Sequence, residues 1–524
     1  MICNFYIKQF KHKLNLLHLS FEKKQNFRIE RMLKNIFFYF GLALILSLTS
    51  CQKKVDLIVH NATVYTMGDN IGKASSFVVD DGKFVAVGGE ELLNTFNANK
   101  ILDLKELPVY PGFIDSHCHF LSLGLSLQKV DLTGTRSFEE VLGRVKDFAK
   151  NKKLKAIVGR GWDQNDWEEK TFPNKTILDE LFPETPVALR RIDGHALLVN
   201  QKALDLAGIG VNTKIKGGSI IKENGKLTGV LVDAPMKLIS NILPKPSITE
   251  KIKALKDAEK ISFENGLTTV SVAGLNKDDI YLIDSLQKSN ALSIKVYAMI
   301  SNSEDNIAHF LSSGPIITEK LTVRSFKIYA DGALGSRGAA LKSDYSDLKK
   351  HRGSFITSKD SLENLAYKLA STSFQMNTHA IGDDANKAVL EAYNKALVFS
   401  DDPRWRIEHA QIIDTSDIKL FNRKIIPSVQ PTHATSDMYW AEDRLGKKRL
   451  QGAYAYKLLL EKSGRIALGT DFPVENVSPI KTFFSAVFRE DSNLYPKGGY
   501  LPNNKLSKLE ALKGMTIWGA YSNF

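Results

Sequence analysis

Between residues 57 and 87 apolar and polar positions alternate. Residues 57–67 (LIVHNATVYTM) and 76–87 (SFVVDDGKFVAV) both carry the two-residue period of half-buried strands. Asp80-Asp81-Gly82 between apolar runs is a turn signal, so the two stretches predict a hairpin. Residues 101–104 form a third short strand, and the opening is small and all-β. After Pro111-Gly112 the pattern changes. Short β-branched runs at 113–119, 156–159, 186–190, 268–271, 293–300, 323–329, 375–380, 406–410, 425–430 and 466–470 read as strands. Amphipathic helical patterns lie between several of them, at 137–151, 249–265, 361–372 and 384–396; in the last, Ala385, Ala388, Val389 and Ala392 share one face. Such alternation implies parallel strands with helical crossovers. The predicted fold class is α/β: a (β/α)8 TIM-like barrel over 111–524, with an inserted α/β subdomain at about 130–243, beside a small all-β part at 55–110. Within the insertion, Asn224-Gly225 marks the turn of a second hairpin. Gly335-Ser-Arg-Gly338 lacks the strand–helix context of a nucleotide loop and reads as a tight turn.

Composition narrows the class. The chain has 524 residues, 43% hydrophobic and 25% charged, a globular balance. Three cysteines (Cys3, Cys51, Cys118) exclude a disulfide framework and any CxxC zinc knuckle. The formal charge of +13 is partly local: eight Lys/Arg against two Asp/Glu precede Cys51, which leaves +7 for the rest. That spread excess is weak support for nucleic acid, and no nucleic-acid partner is expected. The local charge belongs to an address. A basic stretch from Met32 leads into the apolar run 36–48, then Leu48-Thr49-Ser50-Cys51. Thirteen residues make about 20 Å of helix, short of the ~30 Å bilayer core, so the segment reads as a signal peptide. With a cysteine directly after small residues it resembles a bacterial lipoprotein signal, which implies lipidation of Cys51 and an exported, membrane-anchored protein on the periplasmic or outer-membrane side. Residues 1–31 fit no part of this signal and read as a start-site artefact.

The candidate chemistry sits at predicted strand ends. His117 and His119 flank Cys118; on a strand, positions two apart share a face, so both imidazoles point one way. Such a pair can chelate one metal ion. His379, His409 and Asp471 end three further strands. In a β/α barrel those ends converge, and four histidines meeting an aspartate are hard to explain by packing without a metal. Lys327, inward on another strand, needs a partner, either Asp331 or another acid in a salt bridge or a role at the site. Trp162, Trp167, Tyr439 and Trp440 either line a hydrophobic pocket or pack in a core. His433 follows a strand and could face the site. His12, His18, His60, His309 and His351 look incidental.

The constellation as a whole resembles the amidohydrolase superfamily, and more closely amidohydrolase family 3, the branch of the N-substituted formamide deformylases. The matching stretches are VYPGFIDSHCH at 109–119, GRGWD at 159–163, DGHALLVN at 193–200, KIYADGALGSR at 327–337, HAIGD at 379–383, RIEHAQ at 406–411 and GTDFP at 469–473. The resemblance implies two divalent metal ions, of which zinc fits N and O ligands. It places His117, His119 and Asp471 on one ion, His379 and His409 on the other, and a carboxylated Lys327 as bridge. It implies hydrolysis of a non-peptide C–N bond, of amide or formamide type, in a small molecule by a metal-bound hydroxide. Asp471 would move the proton, and His195 would orient the substrate carbonyl. Trp162, His433 and Trp440 are the pocket candidates. Two alternatives stay open: a cyclic-amide or imidazolone hydrolase of the same superfamily, or a non-catalytic ligand-binding lipoprotein. Homo-oligomerisation is also open. Relatives continue with strands that return to the opening β unit, so the resemblance makes residues 55–110 the N-terminal part of an incomplete β-sandwich, and those C-terminal sandwich strands are expected to be absent here.

Overall fold

The computed structural model describes residues 52–68, 72–152 and 154–524, with 28, 31, 32 and 34–36 before them. Cys51 and the apolar run beyond Ile36 lie outside the described residues. Among the described residues no helix is long and apolar enough to cross a membrane. The chain divides into two compact units, Met1–Tyr110 and Pro111–Phe524.

In the first unit Lys53–His60 pairs antiparallel with Ser76–Asp80 and parallel with Phe96–Asp103, and Lys83–Gly88 completes the four-stranded sheet. Val55, Ile58, Val78 and Leu92 fill its core. The expected hairpin is corrected in its partners. Asp81 (φ 50°) and Gly82 (φ 69°) are both left-handed, as a two-residue hairpin turn requires. They fold residues 76–87 back on themselves, so Ser76–Asp80 pairs with Lys83–Gly88. Residues 57–67 instead break at Asn61 (φ 47°), and Thr63–Tyr65 joins a separate three-stranded sheet with Lys73–Ala74 and Pro108–Val109.

The second unit is built on eight parallel strands: Phe113–Cys118, Leu267–Leu275, Lys295–Ser301, Leu321–Tyr329, Gln375–Ala380, Trp405–His409, Ile425–Val429 and Ala467–Leu468. Helices between them return the chain. The helix Ile248–Glu264 starts at a capping box, Ser247 with Glu250, which satisfies two of its free N–H groups. Ala254, Leu255 and Ala258 face the core from this helix. The eighth strand meets the first without a regular ladder. Thr470 donates from its backbone and hydroxyl to Asp115, and Asp471 N–H donates to the His117 carbonyl at 2.7 Å. Gly469 permits that approach, since a Cβ there would sit 2.5 Å from the His117 nitrogen. The result is a nearly closed barrel.

Between the first and second barrel strands lies a six-stranded mixed sheet running from Val130–Asp131 to Lys226–Asp233. Its hairpin turns at Asn224 (φ 49°) and Gly225 (φ 77°). One face packs Ile157, Leu189, Leu198 and Val230; the other carries Ala188, Leu197, Val199 and Leu231. The turn at Gly335–Gly338 is closed by the Arg337 N–H on the Leu334 carbonyl at 3.0 Å.

Candidate metal centre

The register of the barrel brings the separated motifs to one rim. Tyr329 is level with His379, and Ala380 with His409, so Lys327, His379 and His409 rise from three adjacent strands. His117 and His119 come from the end of the first strand, and Asp471 follows the eighth. His117 is fully buried, while Cys118 points the other way into the core, its thiol 3.5 Å from the Ser271 carbonyl. Burial pushes that thiol well above its ordinary pKa. Asp471 and His409 both hold left-handed backbone (φ 61° and 71°), strain of the kind kept where surrounding contacts over-determine a site.

Asp471 is the hub. Its Oδ1 lies 3.2 Å from His119 Nε2 and 3.7 Å from His117 Nε2, and its Oδ2 lies 4.0 Å from His433 Nε2. Burial works against its charge. The close approach of His119 and the imidazole of His117 outweigh that and hold its carboxyl well below the usual range. Two groups of possible ligand atoms result, His117–His119–Asp471 and His409–His433–Asp471. The rings of His379 and His409 stand 4.5 Å apart, and His117 and His409 4.8 Å. Lys327 Nζ lies 3.3 Å from His117 Nε2, and burial pulls its pKa down to about 8.

The imidazoles of His117, His379 and His409 are kept neutral, the form that donates a lone pair. Burial, then the Lys327 charge, takes His117 down to about 4. Burial lowers His379 and His409 well below the ordinary value, helped by the neighbouring rings. The outer nitrogens are anchored: His117 Nδ1 on Glu408, and His409 Nδ1 on Gln430 Oε1 at 2.8 Å. Glu408 is itself held by Arg406, Nε to Oε1 at 2.7 Å, with both side chains fully buried. A donor set fits a metal when atoms are left over after such anchoring. Asp471 Oδ1 and His433 Nε2 are buried without a hydrogen-bond partner; Asp471 belongs to both ligand groups and His433 to the second.

His195 stands at the rim opposite, its ring 5.1 Å from His379. Its Nδ1 is 2.7 Å from Asp233 Oδ1, and Asp233 outweighs burial to raise the imidazole pKa. Both line a cavity of about 1510 Å³, with His119, Lys327, His433 and Trp440. Trp162, expected in the pocket, is placed elsewhere. It is fully buried in the insertion core against Trp167, and its indole N–H donates to the Leu189 carbonyl at 2.7 Å. The reason is local: left-handed Gly161 (φ 118°) shifts the register after Arg160, and Trp162 falls with Leu189 and Leu198 in that core. Trp167 is buried there too, and Tyr439 is half exposed with its hydroxyl on Asp491. Asp331, offered as a partner for Lys327, instead accepts from the backbone N–H groups of Ala340, Ile381 and Gly382.

Residue patterns in the sequence missed Glu408, Arg406, Asp115 and Asp233. The first three had a signal. Arg406 and Glu408 alternate inside a barrel strand, and Asp115 continues the period of His117 and His119. Asp233 ends a hairpin strand and had none.

Comparison with known proteins agrees with this architecture. The family model described as amidohydrolase family matches residues 100–524. Protein LONG AFTER FAR-RED 3 of Arabidopsis thaliana is 31% identical over 492 residues, 90% of this chain and 84% of that protein. Putative amidohydrolase YtcJ of Bacillus subtilis is 32% identical over 474 residues, 87% of this chain and 88% of that protein. N-substituted formamide deformylase of Arthrobacter pascens is a more distant relative, 24% identical over 89% of each chain. Among solved structures, a metal-dependent hydrolase from Pyrococcus horikoshii OT3 superposes with a TM-score of 0.71 at 28% identity, covering 89% of this chain and 93% of that one. The chain belongs to the amidohydrolase family, in its family 3 branch, and carries that family's metal-dependent hydrolase fold.

Proposed function

We propose that this protein hydrolyses a non-peptide C–N bond, of amide or formamide type, in a small molecule. The observation that carries the reading is Asp471. It is an ionised, buried carboxylate with an unpartnered oxygen, shared between two histidine groups at the floor of the cavity. His117, His119 and Asp471 would hold one ion. His409, with His379 or His433, would hold a second, with zinc the best match to these donors. A divalent metal bound there supplies Lewis-acid polarisation of a carbonyl and a nucleophilic water at neutral pH.

The chain's own groups do the rest. Asp471 would take a proton from the attacking water and pass it to the leaving nitrogen. His195, fixed by Asp233, donates toward the substrate carbonyl and holds it in place. Lys327 would supply an anionic oxygen ligand to the ions after addition of CO2. Its neutral amine attacks the CO2 carbon, loses a proton and becomes an anionic carbamate. At about 8 its pKa leaves about a tenth of the amine neutral at pH 7, far more than an ordinary lysine. Lipidation at Cys51 would anchor the enzyme to a bacterial membrane facing an exported compartment. Mass spectrometry of membrane-extracted protein showing an unmodified Cys51 would reject the anchor.

The test is metal content followed by a substrate screen on the full-length protein. About two zinc-like ions per chain, with release of amine from N-substituted amides or formamides, is the expected result. A folded, monodisperse sample without metal, or a metal-loaded one inert across the screen, overturns the proposal.

A further inference from the structure

The barrel rim supplies one wall of the cavity; the inserted sheet supplies the opposite one, and its charges are unusual. Arg160 and Arg190 are register partners on adjacent parallel strands, so their side chains leave the same face. Lys129 directly precedes Val130, whose partner is Gly159 beside Arg160. All three line the cavity together with Lys327, His195 and Asp471. Among the described residues none of the three makes an ion pair. The acids beside them are committed elsewhere: Asp163 and Asp193 clamp Arg191, and Asp233 holds His195. Arg160 uses one donor on the Ile192 carbonyl (2.6 Å) and Arg190 one on the Gly194 carbonyl (3.0 Å). Arg160 Nε is buried with no partner at all.

Three cations crowded into one wall repel one another. Burial pulls Lys129 below its ordinary pKa, with Arg190 and Arg160 adding to it; Arg160 is taken down to about 10 by burial and then by Arg190, against the weaker pull of Asp471 and Asp193. The same wall shows what a purely structural arginine looks like, since Arg191 is fully buried and held by two carboxylates and Gln164. Half-buried like charges facing one cavity without an ion-pair partner favour an anion there. Paired guanidinium forks suit a planar carboxylate.

We infer that Lys129, Arg160 and Arg190 form a subsite for a carboxylate carried by the substrate, so that the preferred substrates are anionic amides rather than neutral ones. The inference rests on the cavity being the hydrolase site, but binding of the carboxylate does not require turnover. The probe is a matched pair, N-(4-carboxybenzyl)formamide and neutral N-benzylformamide. Each is titrated calorimetrically into metal-loaded full-length protein, at low salt and at about 0.5 M salt. The acid is expected to bind about tenfold more tightly, with the advantage shrinking in salt and lost in an Arg160→Gln/Arg190→Gln double variant. If that variant does not fold, Lys129→Met, which removes no hydrogen bond, is expected to weaken acid binding about threefold. No preference for the acid in the wild type, or a preference untouched by these substitutions, overturns the inference. Preferential binding of the acid with neither compound hydrolysed upholds the subsite and rejects C–N hydrolysis. Hydrolysis of both without preference does the reverse.

Discussion

Replacing Glu408 with Gln removes one charge from the chain Arg406–Glu408–His117 while keeping its shape. In the wild type both Arg406 and Glu408 are fully buried. Arg406 Nε lies 2.7 Å from Oε1, and Nη2 donates to Oε2 at 3.2 Å. After the substitution Arg406 keeps only neutral partners: the Ser116 carbonyl, Ser428 Oγ at 2.8 Å and Asn523 Oδ1 at 3.1 Å. A buried charge stripped of its counter-charge destabilises by about 3–5 kcal/mol. Burial alone would raise the Glu408 carboxyl, but Arg406, His117 and Lys327 outweigh it and hold it at about 2 against an ordinary 4.5. That difference corresponds to about 3 kcal/mol, the same order by a separate route. Because the folded value is depressed, this stabilisation is complete above about pH 4.5 and fades as pH falls toward 2. Metal-free wild type and Glu408→Gln should therefore differ by about 3 kcal/mol in urea unfolding at pH 7, and by less below pH 4.5. Zinc affinity should fall about 10–100-fold, since Glu408 fixes the tautomer that turns His117 Nε2 toward the site. An Arg406→Met/Glu408→Gln double variant should lose less than the two single changes together. A single variant within about 0.5 kcal/mol of wild type, with unchanged zinc affinity, would refute the reasoning.

Three further changes address other parts of the site. Lys327→Ala should strip most of the metal and activity; undiminished turnover measured beside metal content would remove Lys327 from its bridging role. Reloading metal-free wild type with zinc at a fixed concentration of dissolved CO2 should speed up as pH rises toward about 8 and level off above it, because the neutral amine that adds CO2 grows over that window; a rate independent of pH or of CO2 counts against the carbamate. Trp162→Ala should destabilise the insertion by about 3–5 kcal/mol in denaturant unfolding yet leave the metal content of the folded protein unchanged, as expected of a side chain packed away from the cavity. Loss of metal at full stability would place it at the site after all.

How much of this was legible in the sequence depended on the range of the interaction that decides each feature. The barrel strands were readable because each is a short buried run set by its own residues; Gln375–Ala380 appears with the bounds its pattern predicts. The rim histidines were readable because strand ends converge in any such barrel. Trp162 was not, because one glycine, Gly161, shifts the register and exchanges pocket for core. The opening hairpin was legible in its turn but not in its partners: Asp81-Gly82 lies inside residues 76–87 and folds that stretch on itself, so Ser76–Asp80 pairs with Lys83–Gly88. Glu408 and Arg406 carried a sign that a different question would have read, since two charges on the inward face of a barrel strand must compensate each other or serve something buried beside them. The same question separates the cations of the inserted sheet. Arg191 meets its two carboxylates within the wall. Arg160 and Arg190, register partners on adjacent strands, form no ion pair among the described residues and turn to the cavity, where an anionic ligand can meet them.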